Sequence, residues 1–188
     1  MIKRQKTVKK KGISKNQWLA KALDMFETDG FEAVKIEKLA KQLGTSRSGF
    51  YYHFKNRQDL LQHLLAYWAE EYTSVITDNQ NLQNLDAEQR LWTTMELVRE
   101  KKLPKYDLAM TAWAKVDPIV RKVVKKVVKM RLDYTRSIFR ELGFLGDELE
   151  MRARLFLCYY AWEETMFADS NENENSRLQK LRHTMFIK

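Results

Sequence analysis

Apolar residues recur every three or four positions along most of the sequence, which is the spacing of one face of an α-helix. No segment alternates apolar and polar residues as a half-buried strand does. The first periodic segment follows Ser14-Lys15-Asn16-Gln17, a capping-box spacing in which hydroxyl and amide satisfy free N–H groups. Gly30 is expected to end that helix. The pattern predicts an all-α protein.

Three shorter helical segments follow. The second helix has its apolar residues at helical spacing and is expected to close at Gly44. Thr45 or Ser46 can cap a third helix that runs to about His53. The segment Asn56-Arg57-Gln58-Asp59 can cap a fourth, whose apolar face holds Leu60, Leu61, Leu64, Leu65 and Trp68.

The pattern stays helical beyond residue 78. Pro118 suits the first turn of a long helix that is expected to reach Gly143. An apolar, aromatic helix is predicted from Leu149 through Ala168, and the polar run from Asn171 to Ser176 is interpreted as a loop before a last helix. Within the long helix one face is basic, which fits either a solvated outer face or an acidic or membrane partner; it comprises Arg121, Lys122, Lys125, Lys126 and Lys129.

Charge is distributed unevenly over the 188 residues, whose net charge is +9. Residues 1–60 carry 14 Lys and Arg against 6 Asp and Glu, whereas residues 61–188 carry 20 against 19. A basic N-terminal part on a neutral body indicates a polyanion partner for that part. The alternative is a solubilising tail, since residues 1–11 alone hold Lys3, Arg4, Lys6, Lys9, Lys10 and Lys11.

The second and third predicted helices are joined across Leu43-Gly44-Thr45-Ser46, and a short helix, a glycine turn and another short helix form a helix-turn-helix. The second helix of that motif enters the DNA major groove with its N-terminal residues at the base edges. Phe50 and Phe54 are assigned to packing. The polar and small residues are assigned to DNA; they are Thr45, Ser46, Arg47, Ser48, Gly49, Tyr51, Tyr52, His53, Lys55 and Arg57.

The stretch VKIEKLAKQLGTSRSGFYYHFKNRQDLL resembles the helix-turn-helix of the TetR family, the tetracycline-repressor-like regulators. The resemblance covers about the first 65 residues closely and is much weaker in the rest of the chain. It implies an Ω-shaped homodimer in which three N-terminal helices bind DNA, the fourth is a link, and the remaining helices form a ligand-binding body. The expected organisation is a basic flexible arm at 1–13, a helix-turn-helix DNA-binding domain at 14–60, and a helical regulatory and dimerisation domain at 61–188.

Individual roles also follow from the resemblance. It implies base contacts for Arg47, Ser48, Gly49 and Tyr52, and backbone contacts for Ser46, Tyr51, His53 and Arg57. Two positions depart from the family: Ser48 stands where glycine is frequent, with the glycine at 49, and Lys35 replaces a frequent threonine at the start of the second helix. We count Lys35 among the predicted DNA contacts.

Catalytic and metal chemistry find no support in the sequence. The three histidines are far apart, and none has metal-ligand spacing with Cys158, so neither a metal nor a cofactor is expected and the protein is predicted not to be an enzyme. The single cysteine excludes a disulfide framework, fits a reducing, cytoplasmic compartment, and is interpreted as a small core residue. No window holds the roughly 18 apolar residues of a membrane span, so no membrane partner is expected.

Large polarisable side chains are frequent in the body, where they fit either core packing or a pocket for a small apolar or aromatic effector. The predicted pocket residues are Tyr72, Tyr106, Trp113 and Tyr159. The last two helices, roughly Glu148–Ala168 and Ser176–Phe186, are the predicted homodimer contact, because a free surface showing Phe156, Tyr160 and Phe167 would be too apolar.

The sequence as a whole predicts a dimeric, sequence-specific transcriptional regulator of double-stranded DNA. Its most favoured form is a repressor that a small effector releases from a pseudo-palindromic operator, with a hinge near Trp68–Tyr72. Two alternatives stay open. One is a co-regulator of similar fold that acts through protein contacts without its own DNA site. The other is a helical enzyme or ligand carrier.

Overall fold

The computed structural model describes residues 12–167 and 171–188, and all regular structure within them is helical. The predicted all-α fold is confirmed. The predicted arm at 1–13 falls almost wholly outside the described residues. The α-helices are α1 Lys15–Asp29, α2 Ile36–Gln42, α3 Arg47–Tyr51, α4 Arg57–Ala69, α5 Val75–Thr77, α6 Gln80–Gln83, α7 Ala87–Glu100, α8 Asp107–Val116, α9 Pro118–Glu141, α10 Gly146–Met166 and α11 Glu172–Ile187.

The chain divides into two compact units between Leu64 and Leu65, inside α4. In the first unit, α1 begins with the predicted capping box: Gln17 N donates to Ser14 Oγ, and Ser14 N donates to Gln17 Oε1 at 2.8 Å. The helix ends at Gly30, whose φ of 81° is a conformation that side chains with a Cβ rarely adopt. A short 3-10 turn, Phe31–Ala33, then leads to α2.

The turn between α2 and α3 is fixed by the backbone of α2. Gly44 takes a left-handed conformation, with φ 62°, and its N–H donates to Lys41 O at 3.1 Å. Thr45 N donates to Ala40 O at 3.0 Å, so both hydrogen bonds of a Schellman motif are present. Glycine at position 44 therefore stops α2 and sets the direction in which α3 starts.

Aromatic packing holds α3 on α1. Phe50 and Trp18 are fully buried, and their rings meet edge to face with centroids 5.6 Å apart. Phe54 is also buried, and its ring centroid lies 5.2 Å from that of Phe50. The prediction that Phe50 and Phe54 serve packing is confirmed.

The second unit is organised around α9, which packs against α7, α8 and α10. Asp117 caps α9 by accepting from Ile119 N and Val120 N, and Pro118 occupies its first turn as predicted. The core lies between α7, α9 and α10, and its buried residues are Leu91, Met95, Ile138, Phe139, Leu149, Ala153, Phe156 and Tyr160.

A wide helical turn follows α4. Residues Glu70–Ser74 form a five-residue π-helical segment between α4 and α5. Such segments are rare and frequently occur at functional sites, because they interrupt the regular hydrogen-bond ladder of a helix. This one overlaps the end of the hinge region predicted at Trp68–Tyr72.

Three local predictions for the second unit are wrong. The run from Asn171 to Ser176 is not a loop, because Asn171 caps α11 by accepting from Glu174 N at 2.8 Å. Cys158 is exposed rather than in the core. Phe156 and Tyr160, which were expected on the exposed dimer surface, are buried because they lie on the side of α10 that faces the core.

A different set of side chains makes the exposed face of the last two helices apolar. We call it the apolar stripe; it comprises Met151, Leu155, Cys158, Trp162 and Met166 of α10 with Leu181 and Met185 of α11. The spacing of three or four residues along α10 places its members on one face. The predicted helix end at Ala168 lies outside the described residues.

The basic face of α9 is exposed, but two of its five members are engaged. Arg121 donates to Ala114 O and Lys115 O, and Lys129 pairs with Asp133 at 2.5 Å. Within residues 12–167 and 171–188, no helix is both long enough and apolar enough to cross a membrane.

Candidate nucleic-acid interface and internal cavity

The outer surface of α3 presents polar side chains above the buried aromatic layer. Tyr52 is 86% exposed and Tyr51 is 57% exposed, whereas Phe50 between α3 and α1 is inaccessible. Ser46, Arg47 and Ser48 at the start of α3 are exposed as well. Adjacent residues of this short helix therefore lie on two sides. One side packs in the interior, and the other faces solvent, where it can contact base edges in the major groove of DNA.

Arg47 is held by a residue of α2. Its Nη1 donates to Glu37 Oε1 at 2.9 Å, and both side chains are largely exposed. The pKa of the Glu37 carboxyl is lowered, first by a backbone hydrogen bond and then by Arg47. Because exposed ion pairs are weak, Arg47 can exchange Glu37 for a phosphate or a guanine edge at small cost.

Gly49 lies where α3 approaches its neighbours most closely. A Cβ at this position would be 3.3 Å from Thr45 Oγ1 and 3.7 Å from Trp18 Cζ2. The half-buried Thr45 and the buried Trp18 therefore limit the size of residue 49. Ser46 and Ser48 hydrogen-bond to each other through their hydroxyls at 2.6 Å, which orients both at the start of α3.

Two predicted DNA contacts have their polar atoms engaged inside the first unit. Arg57 donates from Nε to Val34 O and from Nη2 to Phe31 O, both at 2.7 Å, and its guanidinium stacks on the Phe31 ring. His53 Nε2 is hydrogen-bonded to Ile13 O at 2.8 Å. These contacts give both side chains a structural role, and their part in DNA binding stays a prediction.

Lys35 and Lys55 are exposed. Lys35 occupies the N-cap position of α2 without a side-chain cap. Lys55 precedes α4, and its backbone N–H donates to Asp59 Oδ2 at 2.8 Å, while Asp59 N donates to Asn56 Oδ1. The turn between α3 and α4 is therefore fixed by local hydrogen bonds that the sequence pattern at 56–59 indicated.

The second unit contains a partly open cavity of about 270 Å³, which we call the apolar cavity; the exposed Cys158 and Trp162 of the apolar stripe also line it. Its volume is close to the lower end of small-molecule sites, about 300–1,000 Å³. Of the four predicted pocket residues, only Tyr72 lines it. Its apolar wall includes Trp68, Ile76, Val98, Leu103, Val127 and Phe156.

The other three predicted pocket residues lie outside this lining. Tyr106 is buried and packs edge to face on Tyr72, with ring centroids 5.0 Å apart. Trp113 is buried in α8. Tyr159 donates to Glu163 Oε1 at 2.8 Å and is stacked by the guanidinium of Arg182.

A polar cluster that the sequence pattern does not indicate lies on the wall of the apolar cavity. Arg131 Nη1 contacts Asp107 Oδ2 at 2.5 Å, its Nε donates to Thr73 Oγ1, and its Nη2 donates to Tyr72 O at 3.0 Å. Burial raises the pKa of the Asp107 carboxyl, and the Arg131 charge opposes that rise. Arg131 thus ties the π-helical segment to α8 and α9. No sequence signal marked it, because its partners are 24 or more positions away.

No cluster of His, Cys, Asp and Glu suited to a metal ion occurs in the part of the chain that the structure describes. The first unit therefore offers an exposed polar surface on a short helix, and the second unit a partly open apolar cavity with a charged cluster on its wall. The first unit thus has the short helix, glycine turn and second short helix of a helix-turn-helix, and a second helical unit follows it.

A direct comparison supports the resemblance seen in the sequence. The model described as "Bacterial regulatory proteins, tetR family" matches residues 19–64, which confirms that resemblance for the first unit. The match agrees with the expectation that the protein is a regulator rather than an enzyme. None of the curated proteins matches the sequence.

Solved structures extend the likeness of fold to almost the whole chain. The TetR family transcriptional regulator PfmR from Thermus thermophilus has a TM-score of 0.70 at 18% identity, over 91% of this chain and 97% of that one. A transcriptional regulator from Rhodococcus sp. Rha1 has a TM-score of 0.69 at 15% identity, over 93% and 96%. AibR, in complex with isovaleryl coenzyme A and operator DNA, has a TM-score of 0.68 at 17% identity, over 91% and 96%.

Proposed function

We propose that the protein is a homodimeric, sequence-specific transcriptional regulator that binds double-stranded DNA through α3. The observation that carries this proposal is the division of α3 into a buried side, with Phe50, and an exposed polar side, with Arg47 and Tyr52. Arg47, Ser48 and Tyr52 contact base edges, and Ser46, Tyr51 and Lys55 contact phosphates. Lys35 adds a phosphate contact from the start of α2.

A second copy of the chain covers the apolar stripe in this proposal. Seven exposed side chains, from Met151 to Met185, form an apolar surface on α10 and α11, which a lone protein rarely leaves in water. A two-fold dimer presents two α3 helices, and these fit successive major grooves when they lie about 34 Å apart. The preferred operator is therefore a pseudo-palindrome.

A small effector acts in this proposal by shifting the population of dimer states. The apolar cavity adjoins Arg131, which holds Tyr72 O and Thr73 of the π-helical segment that follows α4. A ligand that fills the cavity better in one arrangement of that segment favours a dimer with different helix spacing. Its effect on DNA binding is limited by its differential affinity for the two states. The AibR complex with isovaleryl coenzyme A and operator DNA supports a regulator of this fold having both partners.

We favour repression as the outcome: the protein blocks transcription while it occupies the operator, and transcription resumes when the effector releases it. A regulator of this kind acts where the DNA is, in the cytoplasm of a bacterial cell.

Selection of bound duplexes from a random DNA pool tests the proposal. The expected result is an enriched, two-fold-symmetric sequence whose half-sites are about one helical turn apart. Enrichment of a single half-site would contradict the dimer, and a pool without any enriched sequence would favour the co-regulator that lacks its own DNA site.

A further inference from the structure

A second concave surface of the second unit adjoins the apolar cavity. This surface, which we call the polar recess, has a volume of about 670 Å³ and shares Val98, Pro104 and Tyr160 with the apolar cavity. The shared residues form the boundary between an apolar space on one side and a more polar space on the other. A ligand that enters both must be apolar at one end and polar at the other.

Some polar side-chain atoms beside the recess have no hydrogen-bond partner within the described residues. Within the described residues, the buried side-chain atoms without a hydrogen-bond partner include Tyr160 Oη, Arg99 Nε, and both Nε and Nη2 of Arg182. Tyr160 is 6% exposed and Arg182 is 8% exposed, so solvent does not reach these groups freely. Burying a donor without an acceptor costs more free energy than a typical hydrogen bond contributes, so such groups are normally satisfied.

These donors lie close to one another. The guanidinium of Arg182 is 5.9 Å from the centroid of the Tyr160 ring, and the charges of Arg182 and Arg99 both act on the Tyr160 hydroxyl. Burial raises the pKa of Tyr160, so its hydroxyl keeps the proton and can donate it in a hydrogen bond at neutral pH. Arg99 belongs to α7, Tyr160 to α10 and Arg182 to α11, so three helices converge on one point.

The charges of the recess also leave a place for an anion. Within the described residues, its wall includes the basic Arg99 and Lys102 and the acidic Glu100 and Glu163. Glu163 is already used, since it accepts hydrogen bonds from Arg182 and from Tyr159. Arg182 adds a further positive charge beside the wall. A group with several acceptor oxygens would therefore meet the donors of Tyr160, Arg99 and Arg182 that have no partner within the described residues.

We propose that the effector is an amphiphilic anion whose apolar body fills the apolar cavity and whose carboxylate or phosphate head lies in the polar recess. The head accepts hydrogen bonds from the Tyr160 hydroxyl and from Arg99, with Arg182 supplying charge behind them. This inference rests on the proposed function only in that it calls the ligand an effector. The binding site itself exists whether or not the ligand alters DNA affinity.

Calorimetric titration of the full-length protein, without DNA, tests the head group. The probes are octanoate, octyl phosphate and octanol, which share an alkyl body and differ in the head. We expect at least one anion to bind about ten- to a hundredfold more tightly than octanol, the range for hydrogen bonds to a charged group. Whether octanoate or octyl phosphate binds more tightly identifies the head. Equal affinity for all three probes, or binding of none, overturns the inference.

Variants locate the head. Tyr160→Phe removes only the hydroxyl and should reduce the ratio of anion to alcohol affinity about tenfold. Arg99→Gln, in the partly buried wall, should reduce it as well. The matched control is Tyr134→Phe, because Tyr134 lines the apolar cavity and its hydroxyl bonds to Thr94 at 2.9 Å. The control should keep the anion preference. An unchanged preference in both Tyr160→Phe and Arg99→Gln contradicts the inference.

A separate DNA titration distinguishes this inference from the proposed function. Ligand binding with the expected Tyr160 dependence, in a protein that ignores DNA, supports the inference and refutes the regulator. Operator binding by a protein that binds none of the three probes supports the regulator and refutes the inference.

Discussion

The first unit has its candidate binding groups on the surface, whereas the second unit has them in its interior. In the first unit, Phe50 and Phe54 fill the interior while Arg47 and Tyr52 face solvent. In the second unit, the polar groups that lack partners, such as Tyr160 Oη, are inside, and the apolar stripe is outside. A surface that binds a large polyanion needs exposed polar atoms on a rigid support, whereas a small ligand needs an enclosed space. The difference fits the proposal that DNA and a small effector impose distinct demands on the two units.

We expect the largest loss of stability from a buried residue of α3, and little loss from an exposed residue of the same segment. Phe50→Ala should cost about 3–5 kcal/mol of unfolding free energy, since it removes a fully buried ring from the layer on Trp18. Tyr52→Ala, at an 86% exposed position, should change stability by less than about 0.5 kcal/mol and weaken DNA binding instead. Urea unfolding and gel-shift titration of both variants measure the two quantities. Similar losses of stability would show that Tyr52 is part of the scaffold.

A somewhat smaller effect is expected from the charged cluster of the second unit. Arg131→Met leaves Asp107 without its partner and should cost about 2–4 kcal/mol, less than for a fully buried pair, because the two side chains are 21% and 16% exposed. The double variant Arg131→Met with Asp107→Leu should recover most of that loss. Thermal unfolding of the three proteins checks this. A double variant as unstable as the single one would mean that packing, not the unpaired charge, is responsible.

Removal of the Glu37 charge should strengthen DNA binding by the first unit. Glu37→Gln removes a negative charge from the predicted interface and releases Arg47 from an exposed ion pair. We expect DNA affinity to rise about two- to fivefold at low salt, with the gain shrinking as salt increases. Filter-binding titrations at several salt concentrations measure it, with Glu32→Gln as the control on the 3-10 turn. A loss of affinity would mean that Glu37 positions Arg47 for DNA.

We expect the smallest effect from a surface ion pair of the second unit, whose contribution to stability depends on pH. Arg136 and Arg154 lower the pKa of Glu150 to about 2. A lowered folded-state pKa gives stability that is present above the unfolded value and is lost as the pH falls toward the folded value. The stability difference between the native protein and Glu150→Gln should therefore be present near pH 6 and shrink below the ordinary pKa of 4.5. Urea unfolding across this range measures it, and a difference independent of pH would contradict the assignment.

The sequence predicted the first unit well, because its signals are local. The capping box at Ser14 and Gln17, the turn at Gly44 and the cap at Asn56 each depend on residues within four or five positions. Their spacing can be recognised without knowledge of the fold. The hydrogen bonds from Arg57 to Phe31 O and Val34 O could not be predicted from spacing, since they join residues 23 or more positions apart.

The second unit was predicted less well for the same physical reason. Its helices follow from apolar periodicity, but the cavity depends on which helix faces meet, and the pattern of α10 allowed either side to be the core. Phe156 was therefore assigned to the surface and Cys158 to the interior, the reverse of what is found. Arg131 and Arg182 acquire their roles only through partners 19 to 59 positions away.

The most direct test of the central claim is a titration of Arg47→Ala against the selected operator and a scrambled duplex of equal length. The control is Lys122→Ala, which removes the same charge from an exposed helix face of the second unit. We expect Arg47→Ala to lose about 1–3 kcal/mol of binding free energy on the operator and little on the scrambled duplex, while Lys122→Ala keeps the operator preference. Equal losses on both duplexes for Arg47→Ala would contradict the assignment of α3 to the base edges.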